Sequence, residues 1–300
     1  MNRVAVIGSS NTDMVVKTSR FPAPGETVLG GEFFMFPGGK GANQAVAAAR
    51  VGAEVHFFCV LGDDPFGHQA LSGYAREGIR TDAIRTQAGI ASGIALITVN
   101  EAGENEIVVA PGANSKLTPE YLTEHAGRLE NVDIALAQLE IPMPAIRHLA
   151  RFCREKGIPL ILNPAPAQDL PSDVLRGLFG ITPNQSETER LTGIRPQSPD
   201  TAEKAAESLR GRGVEHVAIT LGAGGVYYLG PEGRFRLEPP RVQAVDTTAA
   251  GDVFNGVLAA GLAGGLSWRE SLGRANRAAA LSVTRMGAQS SAPFLKEIEP

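Results

Sequence analysis

Short apolar runs recur along the chain at Val4–Gly8, Val55–Gly62, Asp133–Glu140, Pro159–Asn163 and Val217–Gly222. Helix-patterned stretches lie between them, at Ala42–Val51, Phe66–Glu77, Met143–Lys156 and Thr201–Arg212. Strands that are apolar on both faces need cover on both, and the intervening helices supply it. The alternation therefore predicts a three-layer α/β/α fold around a mostly parallel central sheet. Three hundred residues suffice for one large domain with a core that needs no staples, and residues 1–300 are read as one. The chain ends in two more helices, Gly251–Ala263 and Ser267–Val283, the second opened by the capping box Ser267-Trp-Arg-Glu270.

Two segments break the alternation. Residues 10–36 hold Phe21-Pro-Ala-Pro-Gly25 and the aromatic run ending at Phe36. Residues 92–112 read as a hairpin, Ile94–Val99 and Glu106–Ala110, around Glu101-Ala-Gly-Glu104. Neither suits a crossover helix, so both are expected to form a small β lid inserted beside the main sheet. Their apolar faces and open edges predict burial against a second copy of the chain, a homodimer through the lid.

Composition narrows the class of protein. Apolar residues at 43% and charged ones at 20% exclude disorder. A net charge of −4, with the 28 basic residues scattered, argues against a nucleic-acid partner. No apolar run is long enough to span a bilayer, so no membrane partner is expected. Cys59 and Cys153 sit in apolar contexts without a C-x-x-C partner, which predicts core thiols and a cytoplasmic setting. The five histidines lack ligand spacing, and no Gly-x-Ser-x-Gly elbow is present.

The chemistry collects where the strands end. Asp246-Thr-Thr-Ala-Ala-Gly-Asp252 turns a loop into a helix, leaving the amides of Ala249, Ala250 and Gly251 at a positive helix N-terminus. Asp252 stands beside that anion cradle, a pairing suited to phosphoryl transfer, although an acidic first turn is also an ordinary helix start. Asn11 and Asp13 serve equally as turn-formers or as pocket groups. Pro37-Gly-Gly-Lys-Gly-Ala-Asn43 opens a helix without being a Walker A loop, because Gly41 stands where Ser or Thr is needed. It fits either a tight cap or close backbone approach to a ligand, with Lys40 and Asn43 as donors. Glu140 is a solvated strand end or an acceptor for a hydroxyl. Asn184 and Glu187 are placed to meet Mg²⁺-bound waters, while Ser186 and Glu189 have capping-box spacing. Thr220-Leu-Gly-Ala-Gly-Gly225 lets a flat ring or phosphate lie close, yet lacks the dinucleotide fingerprint.

These motifs, in this order and over nearly the whole chain, resemble the ribokinase (PfkB-type) family of carbohydrate kinases. The resemblance implies that Asp252 is the catalytic base, with the Ala249, Ala250 and Gly251 amides as the anion hole. It implies that Asn11, Asp13, Gly39, Lys40, Gly41, Asn43 and Glu140 bind a sugar. Asn184, Thr220, Gly222, Gly224, Gly225 and Asn276 would contact ATP, with Glu187 near Mg²⁺. A monovalent cation, K⁺, would sit among Asp246, Thr248, Ser282, Arg285, Gly287 and Ser291; Met286 departs from the basic residue often found beside them. Because the transition state is loose, an aspartate of ordinary pKa near 4 is expected to suffice as the base. Carboxylates and amides with a single Lys suit a neutral polyol, and the family makes ribose, phosphorylated on its 5-hydroxyl, the first choice. A nucleoside or another neutral sugar is the competitor within the class. A nucleotide-linked oxidoreductase and a non-catalytic sugar sensor are the alternatives outside it.

Overall fold

The computed structural model describes residues 2–29 and 31–299. Met1, Pro300 and Gly30, the last inside the first expected lid segment, lie outside the described residues. The large sheet has eight strands. Across it they run Gly233–Leu237, Val226–Gly230, His216–Thr220, Gly180–Ile181, Leu160–Leu162, Ile134–Ala137, Arg3–Ile7 and Glu54–Phe58. Pairing is parallel from Glu54–Phe58 through His216–Thr220 and antiparallel only for the last two edge strands.

Side-chain alternation divides each central strand between two cores. Ala5, Ile7, Ala135 and Ala137 join the cluster that packs on the Met143–Lys156 and Pro199–Gly211 helices. Val4, Val6, Ile134 and Leu136 point the other way, into the Lys40–Arg50, Ala250–Ala263 and Trp268–Ser282 helices. Full burial on both faces explains why these strands read as continuous apolar runs.

The expected elements hold with three adjustments. Val55–Gly62 is two strands: Glu54–Phe58 stays in the large sheet, and Val60–Gly62 pairs with Arg85–Gln87 beyond the break at Cys59. Gly180–Ile181, at two residues, is too short to register as a pattern. The antiparallel edge pair Val226–Gly230 and Gly233–Leu237 follows a glycine loop that reads from sequence as a ligand turn.

The lid is a separate four-stranded sheet in the order Glu32–Gly38, Asn11–Lys17, Gly93–Val99, Asn105–Ala110. Register sorts its faces. Asp13 lies opposite Phe36 and Ala95, on one side. Met14 opposite Met35 and Leu96, and Val16 opposite Phe33, form the other. That second face stays open, with Phe33 58%, Leu96 50% and Val108 67% exposed.

Candidate active site

The Ala250–Ala263 helix begins with a left-handed residue, Ala249, at φ 58°, the one positive φ outside glycine among the described residues. That conformation costs an L-residue about 1–2 kcal/mol, which the surrounding structure has to offset. Its effect is to turn the chain so that successive amides emerge together. Ala250 N–H makes only a long bond, 3.4 Å to Thr247 O, and the helical ladder starts with Val253 N–H to Ala249 O at 2.9 Å. The amides of Ala249 and Gly251 have no backbone acceptor. Gly251 is exposed while Asp252, next to it, is only 6% exposed.

Amides hold the Asp252 carboxylate from behind. Asn43 Nδ2 donates to Oδ2 at 2.9 Å and Gln44 Nε2 to Oδ1 at 3.0 Å. Gln44 Nε2 also reaches Asn163 Oδ1 at 3.1 Å, and Gln138 Nε2 donates to Gln44 Oε1 at 2.6 Å. Asn255 ties Thr182 Oγ1 to Gly251 O across the same helix. Burial pushes the Asp252 pKa up, opposed by the Lys40 ammonium and by the Asn43 and Gln44 donors. The carboxyl is therefore not an ordinary aspartate, as the sequence suggested; it sits in a desolvated site where proton affinity is higher.

Asp13, Lys40, Glu140, Glu187 and Asp252 form one electrostatic cluster. Asp13 is raised to about 6, by burial first and then by Glu140 and Asp252. Glu187 is raised to about 7, chiefly by burial, against the Asn184 backbone bond and Lys40. Lys40 is the one cation among them, and Asp252 is the largest influence raising its pKa. Four acids around one ammonium leave the site poised to gain from further positive charge.

The glycine-rich helix entry serves the chain itself. A Cβ on Gly38 would meet Asp13 Oδ2 at 2.2 Å, and one on Gly41 would meet Gly8 C at 2.6 Å. Gly39 takes φ 89° as the helix cap, and a Cβ on it would meet Asn11 N at 2.7 Å. Close approach is thus to Gly8–Asp13, which draws the lid strand, the first main strand and the Lys40 helix to one point. Glu140 Oε2 accepts from Ser9 Oγ at 2.5 Å and from Lys40 N–H at 3.1 Å, leaving Oε1 free. Asn11 Oδ1 accepts from Asn114 Nδ2 at 2.7 Å. Asn43 Oδ1 is buried without a partner.

On the opposite rim, the capping box falls at Asn184 and Glu187, not at Ser186 and Glu189 as their spacing suggested. Asn184 Oδ1 accepts from Glu187 N–H at 2.9 Å, and Glu187 accepts from Asn184 N–H and Nδ2, both at 2.8 Å. In the Thr220–Gly225 loop, Gly222 at φ 57° faces open space, and a Cβ on Gly225 would strike Leu237 O at 2.0 Å. Arg236 Nε holds Gly224 O at 3.0 Å, and Asn276 Nδ2 donates to the same Leu237 O at 3.1 Å. Asn276 and Gly225 therefore meet at one carbonyl.

The C-terminal loop folds against the start of the Ala250 helix. Val245 and Asp246 N–H both reach Val283 O, and Asp246 accepts from Thr248 N–H at 2.9 Å and Gly287 N–H at 2.8 Å. Those bonds outweigh partial burial and lower the Asp246 pKa. Ser282 and Ser291 are buried and spend their hydroxyl protons on Ala279 O and Ala288 O. Arg285 turns to Glu297 at 2.6 Å, and Met286 points outward, 57% exposed.

Sequence reasoning passed over Gln44, Gln138, Asn163, Thr182 and Asn255. Gln138 did carry a signal, a buried amide set in the apolar run Ile134–Leu139.

A model of the family described as pfkB family carbohydrate kinase matches residues 1–295. The chain is 42% identical over 295 residues to the ribokinase of Haemophilus influenzae, covering 98% of this chain and 96% of the relative. It is 34% identical over 295 residues to the deoxyribokinase of Salmonella typhi, with the same two shares. The structure of Arabidopsis thaliana ribokinase complexed with ribose and ATP matches with a TM-score of 0.93 at 31% identity, covering 98% of this chain and 96% of that one.

Proposed function

This chain belongs to the pfkB family of carbohydrate kinases, and we propose that it moves the γ-phosphoryl group of ATP onto the 5-hydroxyl of D-ribose, giving ribose 5-phosphate and ADP. The observation that carries this reading is the juxtaposition of unpartnered Ala249 and Gly251 amides with the buried, amide-held Asp252. Asp252 accepts the hydroxyl proton late in a loose transition state, worth about 10²–10⁴-fold. The Ala249–Gly251 amides stabilise charge on the transferring group, where one such donor contributes about 3–4 kcal/mol. Lys40 adds the positive charge of the pocket.

Acceptors suited to a neutral sugar support the substrate assignment. Glu140 Oε1, Asn43 Oδ1 and Asp13 can accept hydrogen bonds from hydroxyls, while Asn11 and the Gly39–Gly41 entry shape the floor. On the nucleotide side stand Asn184, Thr220, Gly222, Gly224, Gly225 and Asn276. An aromatic slot for a nucleoside base is poorly supported, since Phe34 and Phe36 stack on each other at 6.0 Å. Deoxyribose, the acceptor named for the 34% relative, is the second reading within the class. Family membership sets the oxidoreductase aside, and a buried carboxylate at position 252 argues against a non-catalytic sensor.

No group of three or more His, Cys, Asp or Glu side chains able to hold a metal occurs among the described residues. Mg²⁺ binds mainly through phosphate oxygens and water with one or two carboxylates. Glu187, a buried carboxylate whose pKa burial raises to about 7, is the residue we assign to the neighbourhood of Mg²⁺. When bound, Mg²⁺ would neutralise phosphate charge. K⁺ would be held at the Asp246, Thr248, Ser282, Arg285, Gly287 and Ser291 loop, with carbonyl oxygens as its main ligands. Met286 turns its side chain outward from that loop, 57% exposed.

The wider proposal is one domain carrying an inserted lid, paired with a second copy across the open lid face. A cytoplasmic setting is supported by the buried, unpaired Cys59 and Cys153. A coupled assay of ADP release across ribose, deoxyribose, fructose and adenosine, with and without K⁺, tests the assignment. Ribose should give the highest kcat/KM and K⁺ should raise it. No sugar-dependent ADP release from any acceptor would end the kinase reading.

A further inference from the structure

The amide chain behind Asp252 has a forced direction. The Asp252 carboxylate and Asn163 Oδ1 are both acceptors, and Asn163 is oriented by donating its own Nδ2 to Thr182 O at 3.3 Å. Gln44 must therefore turn its nitrogen to them, and its oxygen must accept from behind. Gln138 Nε2 does so at 2.6 Å, and both glutamines are completely buried. A flipped Gln44 would press Oε1 against the carboxylate in a site buried from solvent. Gly256, one helical turn past Asp252, makes the contact possible. A Cβ there would meet Gln44 O at 2.4 Å and Ala48 N at 3.0 Å, so glycine lets the two helices close to this distance.

We propose that Gln44, itself oriented by Gln138, is a positioning residue that fixes the Asp252 carboxylate for the proton transfer. The inference rests on Asp252 being the base. The charged groups facing that carboxylate are Lys40 from the Lys40–Arg50 helix that also carries Gln44, Asp13 from the lid, Glu140 beyond the Ile134–Ala137 strand and Glu187 from the Gln185–Thr192 helix. Lys40 is the only positive one, so the donated N–H bonds of Gln44 and Asn43 carry much of the support for the charged form.

The experiment measures kcat and KM for ribose across pH in the full chain, using Gln44→Met, Gln138→Met, the double variant and Asp252→Asn. Gln44→Met should lower kcat about tenfold with KM within about twofold, since a hydrogen bond to a charged group is lost. The acid limb of kcat/KM should move up by at least about half a pH unit, because losing a donor favours the protonated carboxyl. Gln138→Met should shift the limb the same way by less. The double variant should be no worse than Gln44→Met alone, the mark of one linked chain. An unmoved acid limb in both single variants, beside an inactive Asp252→Asn, overturns the inference. If Gln44→Met does not fold, Gln138→Met decides by the same limb. An Asp252→Asn enzyme turning over at the wild-type rate instead removes the base assignment, and the inference with it.

Discussion

The two halves of the site are built to different standards of completeness. Around Asp252, the Asn43 and Gln44 amides that hold the carboxylate are buried, Gln44 is held in turn by Gln138, and the helix that carries Asp252 packs into the core. Asp13 reaches the same pocket from the lid, on a strand whose outward residues meet solvent. One half is finished by the folding of a single chain; the other has a finished inner face and an unfinished outer one. On the proposed reading, the contrast separates groups that act on the transition state, set in the core, from substrate contacts carried on a sheet with one open face.

The contrast breaks first at the base. Asp252→Asn keeps the amide cradle and the shape of the pocket, so kcat should fall about 10²–10⁴-fold while calorimetry still detects ribose binding. Near-normal turnover would mean that the buried half performs no proton chemistry.

A smaller effect tests the electrostatics of the lid side. Asp13 binds its proton more tightly folded than unfolded, with a folded pKa of about 6 against 3.8. Stability is therefore highest when it is protonated, falls as pH rises from about 4 to about 6, and levels off above. Asp13→Asn removes that slope. At pH 7 the ligand-free variant should melt roughly 2–4 °C above wild type, about 1 kcal/mol once partial exposure is discounted. Identical slopes for the two proteins between pH 4 and pH 6 would show that the lid carboxylate is not strained.

The smallest expected change in fold stability sharpens the comparison from outside. Phe33→Ser with Leu96→Ser removes apolar surface that the single chain leaves exposed, so the single-chain fold should lose less than about 0.5 kcal/mol, and any further fall in melting should scale with the association lost. Sedimentation should show a change from dimer to monomer. A wild-type chain that already sediments as a monomer would leave the open face without its proposed cover.

Legibility in the sequence followed the range of the forces involved. The Met143–Lys156 helix is read to the residue because its apolar spacing and the Gly157 stop are both local. The split after Phe58 is invisible locally, since the second half is set by pairing with Arg85–Gln87. In the site, glycines and acids at strand ends stood out as punctuation. Gln44 did not, although it directly follows Asn43. Its meaning lies in partners 208, 119 and 94 positions away, which only the folded chain supplies. The raised pKa of Asp252 was hidden for the same reason, because desolvation belongs to the assembled pocket.

The Asn11–Lys17 strand turns Asp13 inward and Val16 outward within three residues. With a second copy seated on the outside, sugar occupancy and self-association become linked equilibria that share one strand. Whatever factor ribose lends to pairing, pairing must return to ribose, so a ribose-stabilised pair would show sugar affinity that weakens as the enzyme is diluted.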